Sequence, residues 1–360
     1  MAQLDSSGIR RVFDMAAAMR RPVNLSIGQP DFDVPESIRQ AAIAAISGGK
    51  NGYTPTQGIA PLVEKLQARI DAAYSQQDRR VLVTSGTSGG LVLALMTIVN
   101  PGDEVIVFDP YFVSYPSLVE LAGGQPVLVD TYPNFHVDLD SVRAAITPKT
   151  KAIIFASPAN PTGVSAGEDE VRAIAQLAEE RGIALVSDEI YNTFCYDEPF
   201  VSPARYNAQT IVVDGFSKTY AMTGWRLGFA HGPAEIMQEM AKLQQYTFVC
   251  APQPVQWAGI AALDVDMAPH IADYRRKRDK LLAGLADAYE IVRPGGAFYV
   301  FPKVPQGSAG AFVERAIARE LLIIPGSIFS HADTHFRVSY AASDETIDRG
   351  IEILRELARA

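Results

Sequence analysis

Residues 211–228 read IVVDGFSKTYAMTGWRLG, and this stretch carries the clearest indication of the fold. It opens with a short apolar run at residues 211–213, and Lys218 follows shortly after. A lysine just beyond the end of a buried strand lies at the carboxyl edge of the sheet, where open α/β folds bind their ligands. Because a lysine amine forms a Schiff base with an aldehyde, Lys218 is a candidate for covalent chemistry. A surface position on a loop is the alternative for any lone lysine.

On the N-terminal side of this lysine, short apolar runs alternate with longer amphipathic stretches such as residues 168–181. Runs that stay apolar along their whole length are typical of strands buried on both faces, and the helices between them imply parallel neighbours. The sequence therefore predicts an α/β fold with a mostly parallel sheet and helices on both faces. The predicted strands are residues 81–83, 104–108, 126–129, 152–155, 184–186 and 211–213.

The residue pattern at both ends of the chain differs from this alternation of short apolar runs and amphipathic stretches. Near the N-terminus, Val12 and Phe13 stand at helical spacing, and a second helix is predicted to start after Pro35. The sequence predicts a large domain of residues 40–270 and a smaller α+β domain built from residues 1–39 and 271–360. Towards the C-terminus the predicted elements are one long helical region from residue 233 past 278, a strand at 297–301, a helix at 309–320 and a strand near 336–340.

The composition excludes several classes of protein. The 360 residues are 48% hydrophobic and 20% charged, and the formal net charge of −9 provides no overall basic field for nucleic acid or acidic lipid. Cys195 and Cys250 are the two cysteines and form no CxxC pair, so neither a disulfide framework nor a metal site is expected. The longest apolar run, residues 91–99, is too short to span a bilayer. We expect a cytoplasmic protein without membrane contact.

Residues 216–226 resemble the lysine signature of the class I/II aminotransferases, the pyridoxal-phosphate (PLP) enzymes of fold type I. The resemblance covers nearly the whole chain. It implies the family's seven-stranded type of sheet, PLP as the cofactor and Lys218 as the Schiff-base lysine. It also implies that Ser217 and Arg226 bind the cofactor phosphate. Many members carry serine at the position of Gly215, so this chain is expected to offer the phosphate one hydroxyl fewer.

A glycine-rich turn at residues 84–90 follows a predicted strand and opens a helix predicted at Leu91. Small residues let backbone N–H groups approach a phosphate, and the helix N-terminus adds favourable potential. A lone turn of this kind is weak evidence. In this position it resembles the family's phosphate cup, which implies that Gly86, Thr87 and Ser88 bind the phosphate.

Further family positions follow other predicted strands. Phe112 matches the aromatic residue that stacks on the pyridine ring, and a core phenylalanine is the alternative. Asn160, in a turn that resembles the family's Asn-Pro-Thr-Gly turn, is implied to contact the phenolic oxygen of the cofactor and the substrate. Asp188 matches the aspartate that keeps the ring nitrogen protonated, so that the ring accepts electrons. Tyr191 is implied as a second donor to the phenolic oxygen.

Substrate and subunit contacts are implied by three more positions. Arg337 matches the family's substrate arginine, whose guanidinium grips a carboxylate with two parallel hydrogen bonds. Gly28 would let the backbone approach the same carboxylate. Residues 51–58 resemble the segment whose tyrosine reaches the phosphate of a neighbouring subunit, which implies a homodimer with Tyr53 contributed across the interface.

The resemblance therefore implies an aminotransferase that moves the amino group of an L-amino acid to a 2-oxo acid such as 2-oxoglutarate, through PLP and pyridoxamine phosphate. The freed Lys218 amine is expected to act as general base at the α-carbon. Members with this lysine block favour aspartate or aromatic donors, while alanine and methionine stay open. A dicarboxylate donor needs a second cation, for which Arg10, Arg11 and Arg20 are candidates only by their position near the N-terminus.

Two alternatives use the same residues. A lyase or decarboxylase of the same fold would release ammonia or carbon dioxide without an oxo-acid acceptor. A catalytically silent PLP-binding regulatory module would carry an attached DNA-binding domain, for which this chain has neither the length nor a basic patch. The sequence gives little reason to exclude the lyase or decarboxylase, and it gives more reason to exclude the regulatory module.

Overall fold

The computed structural model describes residues 22–74 and 78–359. The predicted N-terminal helix around Val12 and Phe13 and the candidate cations Arg10, Arg11 and Arg20 lie outside these residues. In chain order the elements are β1 (Val23–Asn24), α1 (Glu36–Ser47), α2 (Ala60–Ala73), β2 (Arg79–Thr84), α3 (Gly86–Ile98), β3 (Glu104–Asp109), α4 (Ser114–Leu121), β4 (Gln125–Asp130), α5 (Leu139–Ala145), β5 (Thr150–Ala156), α6 (Glu168–Arg181), β6 (Ala184–Asp188), β7 (Ile211–Gly215), β8 (Gly228–Pro233), α7 (Ala234–Tyr246), α8 (Gln253–Ala262), α9 (Ala268–Leu285), β9 (Tyr299–Val300), α10 (Ala309–Ile317), β10 (Leu321–Leu322), β11 (Ile324–Pro325), β12 (Phe336–Ser339) and α11 (Asp344–Arg359).

The central element is a seven-stranded sheet in the order β2-β8-β7-β6-β5-β3-β4. Its strands pair in parallel except β8, which is antiparallel to both β2 and β7. The predicted α/β class and the mostly parallel sheet are confirmed, and each of the six predicted strands lies inside one of β2 to β7. The seventh strand, β8, was not predicted from the residue pattern.

The sheet is buried on both faces because successive side chains of its strands point to opposite sides. In β3, Val105 and Val107 join a core with Leu93 of α3, while Ile106 joins a second core with Ile174 of α6. This arrangement explains why the strand sequences read as continuous apolar runs rather than alternating ones.

The two ends of the described chain meet in a two-stranded sheet, and the C-terminal part forms a further three-stranded sheet. Strand β1 pairs in parallel with β10, and β12 lies between β9 and β11 in an antiparallel sheet. An N-terminal segment therefore pairs with a C-terminal one. Helix α9 runs across the predicted boundary at residue 270, and the division of the chain into a large and a small domain stays a prediction.

Two helix predictions were wrong in detail. The long region after Pro233 is three helices rather than one; α8 begins directly after Pro252, and the residue before a proline is driven out of helical geometry. Helix α3 begins at Gly86 and not at Leu91, so the predicted phosphate cup forms its first turn. Within residues 22–74 and 78–359, no helix combines the length and the apolar character needed to cross a membrane.

Candidate active site

The carboxyl ends of the parallel strands meet at one edge of the sheet, where the chain forms a cavity of about 290 Å³. Gly86 lies beside Arg226 but is not part of the lining, and Tyr53 stands outside with 87% of its surface exposed. The predicted site residues that line the cavity are Gly28, Thr87, Ser88, Phe112, Asn160, Asp188, Tyr191, Ser217, Lys218, Arg226 and Arg337.

Lys218 stands three positions beyond β7 and is partly buried. Its Nζ donates a hydrogen bond of 2.6 Å to the carbonyl oxygen of Gly28. Burial lowers the pKa of the Lys218 amine to about 8, and the nearby charges of Arg337 and Arg226 act in the same direction. A larger fraction of this amine is therefore unprotonated near neutral pH than for an ordinary lysine, which suits a nucleophile or a base.

Asp188, at the end of β6, is buried and held by two donors. The Tyr115 hydroxyl donates to Oδ2 at 2.8 Å, and the Ile190 amide donates to Oδ1 at 3.2 Å. Burial raises the pKa of the Asp188 carboxyl to about 6, while the hydrogen bond from Tyr115 opposes that rise. The side chain is thus a buried carboxyl group whose pKa lies closer to neutral pH than that of an ordinary aspartate, and Tyr115 favours its charged form. Phe112 packs its ring against the Tyr115 ring, with centroids 5.6 Å apart.

Arg337 is 1% exposed and is held by several contacts at once. Its Nη1 donates to Asn160 Oδ1 at 3.0 Å and its Nη2 donates to the carbonyl oxygen of Ser26 at 2.8 Å. The guanidinium carbon lies 4.6 Å from the ring centre of Tyr299 and 4.7 Å from that of Phe329. In the part of the chain that the structure describes, Nε has no hydrogen-bond partner. The side chain is rigidly placed, and these two hydrogen bonds use only two of the five N–H groups of the guanidinium, so donors remain for a ligand.

Tyr191 is linked to Arg337 through Tyr299, a residue that the sequence did not suggest. Its hydroxyl and that of Tyr299 lie 2.8 Å apart, and both tyrosines are buried. Tyr299 also limits the space at Gly28, where an added Cβ would stand 2.7 Å from the Tyr299 hydroxyl. Tyr299 therefore connects Tyr191, Arg337 and the backbone at Gly28.

The family described as aminotransferase class I and II matches residues 20–354 of this chain. The chain belongs to this family. The aspartate/prephenate aminotransferase of Thermus thermophilus is 41% identical over 94% of this chain and 91% of its own. Among solved structures, aspartate aminotransferase from Thermus thermophilus with maleate has a TM-score of 0.94 at 37% identity, covering 99% of this chain and 97% of that one. Aspartate aminotransferase from Thermotoga maritima has a TM-score of 0.95 at 30% identity, and the match covers 100% of this chain and 99% of that one.

The chain is thus a PLP-dependent aminotransferase, and its fold type I architecture is confirmed. The relatives' names favour amino transfer over the lyase or decarboxylase alternative.

The phosphate end of the cofactor fits the first turn of α3 in this aminotransferase. The buried Thr87 Oγ1 has no hydrogen-bond partner within residues 22–74 and 78–359, as expected for a hydroxyl that awaits an acceptor. Two glycines allow Arg226 and β8 to pack closely against this turn. A Cβ on Gly86 would stand 2.5 Å from Arg226 Nη2, and one on Gly228 would stand 2.5 Å from the Gly86 carbonyl carbon. Backbone donors at a helix N-terminus beside an arginine are well suited to an anion.

The glycine at position 215 is explained by the same close packing of atoms around the first turn of α3. A Cβ at this position would meet Thr87 Oγ1 at 2.8 Å and Gly228 Cα at 3.2 Å. A serine, which many family members carry here, would therefore press on the Thr87 hydroxyl. The Thr87 hydroxyl lies next to the place that a side chain at position 215 would take, and the effect of Gly215 on cofactor affinity stays a prediction.

The lowered pKa of Lys218 leads to an expected pH dependence. Below its pKa the amine is protonated and lacks the lone pair that attacks an aldehyde, so the rate at which PLP reconstitutes the cofactor-free protein should rise with pH. We expect the rate to level off above a pH of about 8. Stopped-flow absorbance between pH 6 and 11 would measure this, and a rate that kept rising towards the 10.5 of an ordinary lysine would contradict it.

Gly163, in the turn that carries Asn160, gives a second expected result. Its φ is +70°, and an added Cβ would collide with the Tyr299 carbonyl oxygen and stand 2.6 Å from Pro294 Cβ. Gly163→Ala should lower the free energy of unfolding by about 3 kcal/mol. Gly182→Ala is the matched control, since its φ is +63° but its Cβ would meet no atom within 4 Å.

In denaturant titrations, Gly182→Ala should lower the free energy of unfolding by only about 1 kcal/mol, because it adds only the cost of a left-handed backbone. Equal losses for both variants would show that the collision at Gly163 is relieved by movement of the chain.

Proposed function

We propose that this aminotransferase transfers the amino group of aspartate or of an aromatic L-amino acid to a 2-oxo acid such as 2-oxoglutarate. The observation that carries the proposal is that Lys218 and Arg337 face one cavity, with an unpartnered Nε on the buried Arg337. A carboxylate held there has its α-carbon within the same space as the lysine. The choice of donor is supported by relatives named aspartate/prephenate and aromatic-amino-acid aminotransferase and by the Thermus thermophilus structure with maleate.

Cofactor binding is proposed for a set of residues around Lys218. When bound, PLP supplies an electron sink that stabilises negative charge at the substrate α-carbon. The residues proposed to bind it are Gly86, Thr87, Ser88, Ser217 and Arg226 at the phosphate, Phe112 against the ring, Asp188 at the ring nitrogen, Asn160 and Tyr191 at the phenolic oxygen, and Lys218 at the aldehyde carbon.

Proton transfer is the proposed task of Lys218. With PLP bound, its amine would take the proton from the substrate α-carbon and would deliver it to the carbon that the aldehyde of PLP supplies. Arg337 holds the substrate carboxylate with two hydrogen bonds, and Gly28 and Asn160 complete that side of the site. Asp188, whose charged form is favoured by the hydrogen bond from Tyr115, would pair with the protonated ring nitrogen of bound PLP.

A homodimer is the proposed assembly, with Tyr53 reaching the phosphate bound by the partner. The support in this chain is that Tyr53 is 87% exposed and Tyr246 is 84% exposed, which is unusual for large aromatic side chains. Sedimentation equilibrium would test the assembly. The cytoplasmic location stays a prediction.

The absorbance spectrum of the purified protein is the test of the proposed reaction. Single amino acids are added without an oxo acid, and the visible band of the lysine-bound cofactor should convert with aspartate or aromatic donors and return when 2-oxoglutarate is added. A band that never converts with any donor, or that releases ammonia or carbon dioxide instead, would overturn the proposal.

A further inference from the structure

Tyr115, in the first turn of α4, is a buried residue whose hydroxyl faces the active site. It is 5% exposed, lines the cavity, and donates to Asp188 Oδ2 at 2.8 Å. The two residues are 73 positions apart, so only the tertiary fold brings them together. A tyrosine that served the core alone would not need to place its hydroxyl on a functional carboxylate.

The Asp188 carboxylate has a defined set of neighbours. Besides Tyr115 it accepts from the Ile190 amide, and the Lys218 amine is near enough to favour its charged form. An ionised carboxylate out of water is costly unless hydrogen bonds replace the lost solvent. Tyr115 is the side-chain donor that provides this replacement, and its ring is in turn packed on Phe112.

We propose that Tyr115 is a positioning residue of the cofactor site, which holds the Asp188 carboxylate in one orientation and in its charged form for the cofactor ring nitrogen. The proposal rests on the proposed role of Asp188. It assigns Tyr115 no contact with the reacting atoms.

The consequence for cofactor binding is specific to the ring nitrogen. In Tyr115→Phe the ring and its packing stay, while Asp188 loses one donor and more readily takes up a proton. A neutral carboxyl pairs poorly with a protonated ring nitrogen. We expect PLP to bind the variant about tenfold more weakly, as for a lost hydrogen bond to a charged group that is partly compensated.

The experiment compares PLP with its 1-deaza analogue, in which a C–H group replaces the ring nitrogen. Dissociation constants are measured by titrating cofactor-free protein, for the original chain, Y115F, D188N and the control Y289F. Tyr289 is equally buried but lies outside the cavity, and its hydroxyl donates to the Leu354 carbonyl oxygen at 2.6 Å. Thermal unfolding of each cofactor-free variant is recorded alongside.

We expect Y115F and D188N to weaken PLP binding without weakening binding of the analogue, and Y289F to change neither. In D188N, adding Y115F should cause no further loss of PLP affinity. Equal weakening of both ligands by Y115F, unchanged PLP binding, or failure of Y115F to fold would each overturn the proposal, because each assigns Tyr115 a merely structural role. If D188N itself failed to discriminate between the ligands, the role of Asp188 would be wrong, which is a separate result.

Discussion

Replacing Lys218 with alanine is expected to lower the rate of amino transfer by at least about 10⁴-fold. The variant loses both the covalent attachment of the cofactor and the amine that moves the proton. The cavity offers no evident replacement, since the other cationic side chains that line it among the described residues are the guanidinium groups of Arg226 and Arg337, which hold their protons. Single-turnover conversion of aspartate and phenylalanine at saturating PLP would measure the loss.

Lys242→Ala is a suitable control, because Lys242 is an exposed lysine on α7 that pairs with Glu239. Its rate should match that of the original protein. A small primary amine added to K218A should restore part of the lost rate if the lysine acts as the base. A K218A rate within tenfold of the original would mean that another group moves the proton, and the assignment of Lys218 would be wrong.

The strands of the large sheet could be predicted because burial on both faces leaves a continuous apolar run. Strand β8 escaped prediction because it lacks such a run: Gly228, His231 and Gly232 interrupt it. Gly228 has a local reason, since any side chain there would collide with the first turn of α3. Close packing against the first turn of α3 therefore requires glycine at position 228, and glycine has a low strand propensity.

The start of α3 was misplaced for a related reason. Glycine is a poor helix former, so the sequence favours a turn at residues 84–90 and a helix only from Leu91. In the structure Gly86, at φ +69°, is already the first helical residue. Close approach of Arg226 excludes a larger side chain there, and tertiary contacts override the low propensity.

The residues that line the cavity divide in the same way. Residues within contiguous motifs, such as Lys218 and Asp188, could be placed from sequence because the resemblance spans their neighbours. Tyr115 and Tyr299 were missed, although Tyr115 follows Phe112 at helical spacing. Tyr299 contacts Tyr191 across 108 positions, so its role depends on a pairing that no local pattern encodes.

Arg337→Leu is expected to lower kcat/KM for every amino donor by about 10²- to 10³-fold. A buried guanidinium binds a carboxylate through charge-assisted hydrogen bonds, and leucine leaves that carboxylate without a partner at a buried position. Arg337→Lys should recover only part of the loss, because one ammonium cannot reproduce two parallel donors or the stacking between Tyr299 and Phe329.

Arg337→Leu should also change the pH dependence of PLP reconstitution, which does not involve substrate. The charge of Arg337 helps to lower the pKa of Lys218, so its removal should move the pH at which reconstitution levels off to a higher value. Arg278→Lys is the matched control: Arg278 is equally buried, but it pairs with Asp197 outside the cavity, so its replacement should affect stability and leave KM unchanged. If R337L retained the original KM while the reconstitution profile moved, Arg337 would act on the lysine and not on the substrate carboxylate, and the proposed substrate site would have to lie elsewhere in the cavity.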